Sequence, residues 1–379
     1  MVYLHVPFCK RFCTYCAFYS ELFRETDVRA YADALCREIR ARRQEILSTS
    51  EVPTLYIGGG TPSVLPPSVL QRIVDELSQV TGGRYAEWTV EVNPDDITPA
   101  YAAFLKNLGV GRVSMGIQSF DDATLRRMAR RHTAAGAVDA FRMLREAGFD
   151  NISVDLIFGA RPGLPDSDLD ALLSLPGGPP EHVSAYQLSI EEGSALERMV
   201  RSGRFREPGE TVCEAQYRRI CTRLAEAGYE HYEISNFARR GSASPAAASP
   251  YRAVHNSAYW SGAPYVGLGP AAHSYDGGVR SWNPSDLGRW LRQWQSPAEG
   301  PAPKEGETLS ARQKDMERVM LSLRTSDGIP EDLLRRLSGN SRVDALLSQS
   351  CLEKTPEFAN LRIPEPRWFV SDAIIVELI

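Results

Sequence analysis

Up to residue 234 the chain alternates between short runs rich in β-branched and aromatic residues and longer stretches with helical periodicity. Few folds accept that alternation. The pattern predicts strands at 1–6, 53–57, 87–92, 111–117, 151–158, 182–190 and 229–234, with helices at 26–46, 67–80, 99–108, 121–147 and 210–227. Strand–helix units of roughly 30–40 residues imply right-handed βαβ crossovers and a parallel sheet. About six such units predict an α/β fold on a whole or partial (β/α) barrel. An open, doubly wound sheet is the rival, and helix–strand alternation suits both. A stretch of small residues and proline at 241–250 reads as a surface loop. A second break at 295–303 sets off helical patterns at 310–323 and 330–337 and a closing run at 368–379. The expected division of the 379 residues is a barrel core over 1–290 and a small, mainly helical domain over 291–379.

Composition narrows the function classes. With 43 Lys+Arg against 48 Asp+Glu the net charge is −5, which speaks against a strongly basic nucleic-acid binder. No apolar run reaches the roughly 18 residues of a membrane span, and Met1-Val2-Tyr3-Leu4-His5-Val6 does not begin a signal peptide. A cytoplasmic chain is expected. Of seven cysteines, three crowd together at Cys9, Cys13 and Cys16, while Cys36, Cys213, Cys221 and Cys351 are scattered. An odd count with one local cluster reads as metal binding or redox chemistry, not as a disulfide framework. The four scattered thiols are expected to be inert small hydrophobes.

The cluster lies in Pro7-Phe8-Cys9-Lys10-Arg11-Phe12-Cys13-Thr14-Tyr15-Cys16, a C-x3-C-x2-C spacing directly after the first strand. Thiolates are soft ligands suited to iron–sulfur clusters, zinc or Cu(I). A zinc site normally draws on two separated ligand pairs. Three thiolates on one short loop suit three corners of a [4Fe–4S] cube and leave the fourth iron open to a substrate or cofactor. A three-thiol zinc site or a chance cluster is the bland alternative.

Gly58-Gly59-Gly60-Thr61-Pro62-Ser63 follows the second strand, where missing side chains let backbone approach a ligand. Glu91 and Gln118 end the third and fourth strands, a position that points into the mouth of a barrel. Arg130 stands twelve positions beyond Gln118, and Asp155 lies in the fifth strand. A solvated helix charge and a strand-end cap are their plain readings. With the cysteine spacing, these segments resemble the radical S-adenosylmethionine (SAM) superfamily. That resemblance implies a [4Fe–4S] cluster held by Cys9, Cys13 and Cys16, with SAM on the open iron. One electron then cleaves the sulfonium to a 5′-deoxyadenosyl radical. It also implies SAM contacts from Tyr3, Tyr15, Gly59, Gly60, Thr61, Glu91, Gln118, Arg130 and Asp155, with Tyr15 either beside the adenine or shielding the cluster.

Further along stand His231-Tyr232-Glu233-Ile234-Ser235-Asn236-Phe237, His255-Asn256-Ser257-Ala258-Tyr259-Trp260 and Tyr265-Val266-Gly267-Leu268-Gly269-Pro270-Ala271-Ala272-His273-Ser274. They are similar to the long motifs of the oxygen-independent coproporphyrinogen III oxidase-like proteins, in particular their haem chaperone (HemW-type) branch. The resemblance spans nearly the whole chain. It implies a radical SAM partial (β/α) TIM-like barrel and haem as cargo. It implies transfer to a haem-accepting protein, such as a respiratory enzyme of the membrane, with a peripheral visit to that membrane. No nucleic-acid partner is expected, and there is room for a homodimer. His255, Tyr259 and Trp260 are the haem-binding candidates, because an imidazole beside two large aromatics suits a porphyrin plane. A packed core histidine is the plain alternative. The other reading within the family is the oxidase itself, which decarboxylates coproporphyrinogen III to protoporphyrinogen IX. Tyr3 stands too near the first residue for the N-terminal extension that helps organise the oxidase's substrate site, so the chaperone is expected. Two departures from the family pattern stand out. Gly159-Ala160-Arg161-Pro162-Gly163 carries one residue more than the usual turn, and Ala253 stands where relatives often have Cys or Ser, against thiol-assisted attachment of haem.

Overall fold

The computed structural model describes residues 1–49, 53–241, 248–295, 305–355 and 359–379. Nine strands share one sheet: β1 (Val2–Val6), β2 (Thr54–Gly59), β3 (Glu87–Val92), β4 (Arg112–Gln118), β5 (Ile152–Phe158), β6 (His182–Gln187), β7 (Tyr229–Glu233), β8 (Asn236–Arg239) and β9 (Val266–Leu268). Their order is β9-β1-β2-β3-β4-β5-β6-β8-β7. From β9 through β6 every pair is parallel. β8 is antiparallel to both of its neighbours. Among the described residues the two edge strands do not pair with each other, so the sheet is an open hoop.

Strict alternation within the strands builds this hoop. Leu4 and Val6, Leu55 and Ile57, Val90 and Val92, Val113 and Met115, Val154 and Leu156, and Val183 and Ala185 are buried. They share one core with Tyr31 and Leu35 of helix Glu25–Ala41, Leu70 and Ile73 of Pro67–Thr81, Leu105 of Pro99–Leu108, and Phe141 of Ala134–Glu146. Each such side chain contributes about 1.5–3 kcal/mol by leaving water. The intervening positions carry Tyr3, His5, Tyr56, Glu87, Glu91, Ser114, Ser153, Asp155, His182 and Ser184. A slip of one residue would exchange the two faces, so register is strongly specified. A doubly wound sheet buries both faces under helices and reads as continuous apolar runs. This polar second face belongs to a barrel lumen.

Helix Val254–Trp260 stands on the lower rim of that lumen. The N–H groups of Val254 and His255 each donate to the carboxylate of Glu87, the first residue of β3, at 2.9 Å. A carboxylate at a helix N-terminus is worth about 0.3–1 kcal/mol. At the other end of the helix Tyr259 meets Tyr265, the residue just before β9, at 4.7 Å between rings.

Several expectations shift. The helix expected at 121–147 is two helices, Asp122–Arg127 and Ala134–Glu146, parted by a turn in which Ala129 has φ 58°. The helix expected at 26–46 divides into Glu25–Ala41 and Arg43–Ser48. The strand expected at 182–190 ends at Gln187. Most of the loop at 241–250 and of the break at 295–303 lies outside the described residues. Towards the C-terminus, helices Ala311–Ser322, Glu331–Ser338, Asn340–Ser348 and Ser371–Val376 accompany a small sheet of Ile329–Pro330, Asn360–Arg362 and Glu353–Lys354. Val279–Trp282 pairs with Glu305–Thr308, a ladder that crosses the 290–291 position drawn from composition. No described helix is long and apolar enough to cross a membrane.

Candidate metal centre and its neighbouring cavities

The cysteine loop leaves β1 at the top of the barrel and is fixed by its own backbone. Glu21 N–H donates to the Pro7 carbonyl at 2.6 Å and Phe23 N–H to that of Cys9 at 2.9 Å. Thr14 N–H donates to Met128 O at 3.1 Å, and its own carbonyl accepts from Leu196 N–H at 2.7 Å. Cys9, Cys13 and Cys16 are free thiols. Burial pushes the Cys9 thiol up, with the charge of Cys13 adding to the rise. Burial pushes Cys16 to about 11, with Cys13 and Cys9 adding to it. Thiolates that raise one another's pKa are the ligands whose mutual repulsion a soft polycationic centre relieves.

The glycine turn presses against the root of this loop. Gly59 has φ 112°, and a Cβ there would lie 2.7 Å from the His5 imidazole. A Cβ on Gly60 would lie 2.9 Å from the Phe8 carbonyl oxygen. Glycine is required at both positions for that reason. Their N–H groups are already engaged: Gly59 donates to Glu91 at 3.1 Å and Gly60 to Val6 O at 2.7 Å. What the turn has for an amino group is carbonyl oxygen. Thr61 follows, its hydroxyl 3.5 Å from the Cys9 sulfur.

Glu91 accepts from the Tyr56 hydroxyl at 2.7 Å as well as from Gly59. Burial raises its pKa to about 7; Tyr56 and Gly59 oppose the rise and the charge of Asp155 adds to it. Asp155 is likewise raised by burial, against hydrogen bonds from Ser184 and Ser114 and the charges of Arg112 and Arg130. Gln118 has φ 71° where the β4–β5 register shifts. Arg130 is not a solvated helix charge. The left-handed turn at Ala129 ends the helix, and the Arg130 guanidinium donates to Cys13 Sγ at 3.5 Å, to Gly116 O at 2.5 Å and to Asn93 Oδ1. Its Nε is buried with no partner. Tyr3 shares a hydrogen bond of 3.0 Å with His5, whose other ring nitrogen meets Tyr19 O at 3.0 Å. Tyr15 packs on a small cluster of Met128, Ala160, Leu188, Leu196 and Phe205.

The predicted residues thus fall into linked groups: Cys13 with Arg130, Cys9 with Thr61, and Gly59 with Glu91. Sequence reasoning missed Asn93, Tyr56 and His5, which hold Arg130, Glu91 and Tyr3. The signal for Asn93 was available, since a polar residue before proline at a strand's end is kept extended. Three free soft donors on a fixed loop, a turn with no room for a Cβ and a guanidinium with an unpartnered Nε together fit a [4Fe–4S] cluster with SAM beside it.

Two cavities share the Tyr259 wall, and the first also borders the end of the cysteine loop. One, of about 620 Å3, is lined by Tyr3, His5, Phe18, Tyr259 and His273. The other, of about 520 Å3, is lined by Tyr186, Glu233, Asn236, Tyr259, Trp260 and Phe369. Tyr259 borders both. In the second, Glu233 Oε1 and Asn236 Oδ1 are buried with no partner. His255 reaches neither. It is 1% exposed; Nδ1 meets Thr54 Oγ1 at 2.7 Å and Nε2 meets the Tyr259 hydroxyl at 3.3 Å. Burial lowers its pKa to about 3. Both ring nitrogens of His255, a haem candidate from the sequence, are engaged inside the core, one of them to Tyr259 on the same helix.

Residues 3–175 match the radical SAM superfamily. The chain is 34% identical over 336 residues to the haem chaperone HemW of Lactococcus lactis, covering 86% of this chain and 82% of that protein. It is 34% identical over 368 residues to the haem chaperone HemW of Mycobacterium tuberculosis, covering 93% and 88%. Among solved structures, coproporphyrinogen III oxidase (HemN) from Escherichia coli aligns with 100% of this chain and 89% of that one, with TM-score 0.79 and 20% identity, a likeness of fold.

Proposed function

The chain belongs to the radical SAM superfamily, in its HemW-type haem chaperone branch, and from that premise we propose that it holds haem and passes it to haem-dependent proteins. Cys9, Cys13 and Cys16 hold a [4Fe–4S] cluster, which when loaded supplies one electron at the sulfonium of bound SAM. The chain's own residues prepare the place. Arg130 sets a positive charge against Cys13, and Glu91 and Asp155 set carboxylates toward a sulfonium and an ammonium. Tyr3, Tyr15, Gly59, Gly60, Thr61 and Gln118 bound the remaining space.

One observation carries the haem reading, the aromatic cavity of about 520 Å3 between Tyr186, Tyr259, Trp260 and Phe369. It has the size of a small-molecule site, roughly 300–1,000 Å3, and flat aromatic walls suit a porphyrin plane. Tyr259 and Trp260 are contact residues, and His255 supports them from below. In its finer form the reading has a cytoplasmic dimer deliver haem to a respiratory enzyme by contact at the membrane surface.

Anaerobic titration of haem into the cluster-loaded protein tests this. A saturable shift of the haem absorbance is expected, followed by transfer to an apo-haem protein. Trp260→Ala should weaken binding by up to about tenfold, the worth of one aromatic contact. No saturable shift would overturn the reading. Given coproporphyrinogen III, SAM and reductant, the same preparation should form no protoporphyrinogen; turnover would favour the oxidase.

A further inference from the structure

Away from the cysteine loop, three side chains from three separate elements converge at the outer edge of the barrel. Cys221 lies near the end of helix Glu210–Glu226, His231 lies in β7, and Glu365 opens the short helical turn Glu365–Val370. The Nδ1 of His231 is 3.0 Å from Glu365 Oε1 and 3.8 Å from Cys221 Sγ, and the three atoms lie within 4.8 Å of one another. From these contacts we propose that Cys221, His231 and Glu365 form a site for a divalent transition metal of the zinc class, which clamps the C-terminal segment to the barrel edge.

The donor set and spacing are those of such an ion. With Zn–S near 2.3 Å and Zn–N near 2.0 Å, tetrahedral ligand atoms stand roughly 3.3–3.6 Å apart, between the two separations found here. The thiol, the imidazole and the carboxylate are the three ligand types zinc takes. Three protein ligands leave a fourth position for water, and the half-exposed Glu365 provides the way in.

The imidazole is held in the required orientation. Its other nitrogen, Nε2, faces the Ile234 carbonyl at 3.3 Å and the Tyr217 hydroxyl at 3.5 Å. A hydrogen bond from Nε2–H to a backbone carbonyl fixes the tautomer whose Nδ1 lone pair is free, as is usual behind metal-bound histidine. The ring is stacked on Phe237 at 4.0 Å and 14°, and meets Trp368 edge-on at 4.4 Å. A nucleophilic Cys–His–carboxylate relay needs thiol and acid on opposite ring nitrogens. Here both face the same one, where a shared cation belongs. Trp368 and Phe369, three and four residues beyond Glu365, line the aromatic cavity. An ion bound to Glu365 therefore holds one of that cavity's walls.

The full-length chain with Cys9, Cys13 and Cys16 all changed to Ser isolates this site from the cluster loop. Zn2+ titrated against a chromophoric chelator should show one tight equivalent per chain. Cys221→Ser and the surface change Glu365→Gln, added to that background, should each weaken it at least about tenfold. Co2+ in place of Zn2+ should give a thiolate-to-cobalt charge-transfer band that Cys221→Ser removes. In the cluster-loaded protein, Glu365→Gln should lose zinc while keeping all cluster iron. Absence of a tight equivalent, or a cobalt band that survives Cys221→Ser, overturns the site.

Discussion

Arg130 donates to the sulfur of Cys13 across 3.5 Å, although the two residues are 117 positions apart in the chain. The same guanidinium is anchored by Gly116 O and Asn93 Oδ1, so its charge is fixed in place. A fixed cation beside a metal–thiolate centre favours the state with the extra electron. Arg130→Met is expected to lower the midpoint potential of the loaded cluster on the order of 50 mV, equivalent to about 1 kcal/mol for one electron. A redox titration followed by EPR measures this, and an unchanged potential would remove the electrostatic role.

The seven cysteines should separate cleanly under mutation. Serine at Cys9, Cys13 or Cys16 should abolish the broad visible absorbance and most bound iron after anaerobic reconstitution. Cys36→Ala should leave both intact, since Cys36 is a buried thiol packed in a helix face. A full iron complement in any of the three serine variants would refute the ligand assignment.

Glu91 gives the chain a definite pH dependence. Its folded pKa is about 7 against an ordinary 4.5, because burial disfavours the charged form. Between those values the folded state holds a proton that the unfolded state has lost. Stability contributed at low pH therefore falls as pH rises from about 4.5 to about 7, then levels off. The change is at most about 3.4 kcal/mol, from about 2.5 units at 1.36 kcal/mol each. Glu91→Gln should flatten that part of the profile. Chemical denaturation of both chains at about pH 5 and about pH 8 gives the difference, and equal slopes would clear Glu91 of the effect.

Gly59→Ala should harm the site twice over. Its φ of 112° is one that L side chains rarely adopt, and its Cβ would strike the His5 ring. A loss of more than about 1 kcal/mol in stability is expected, together with weaker SAM binding in equilibrium dialysis. Unchanged SAM binding would show that the turn does not face the ligand.

His255→Asn should act on folding and not on haem coordination. The imidazole bonds to Thr54 and Tyr259 inside the core, so the change is expected to cost about 1–3 kcal/mol. The folded variant should give the haem spectrum of the unchanged protein. An altered spectrum at equal occupancy would make His255 a ligand after all.

Much of this was legible before any coordinates. The strand–helix alternation carried the barrel's repeating unit, and the spacing of Cys9, Cys13 and Cys16 singled out the loop after β1. One discriminating signal went unread: Val2-Tyr3-Leu4-His5-Val6, Thr54-Leu55-Tyr56-Ile57 and Glu87-Trp88-Thr89-Val90-Glu91-Val92 alternate polar and apolar, which a doubly wound sheet would not do. Arg130 was named through the resemblance and not from the local pattern. The 121–147 segment has continuous helical periodicity, and the break at Ala129 is a backbone event that side-chain pattern does not report. His255 reads two ways because ligand and core imidazoles carry the same neighbours in sequence. The contact with Thr54, 201 positions away, is one that no local pattern reports.

The unclosed sheet has a mechanical consequence. A sealed barrel has its diameter fixed by strand number and stagger, and widening it means breaking a ladder. Here β7 is tied by Glu233 to Thr325, and the start of β9 by Tyr265 to Tyr275, each through a single bridge. Neither bridge joins the two edge strands to each other, so among the described residues no ladder between β7 and β9 sets the girth of the hoop.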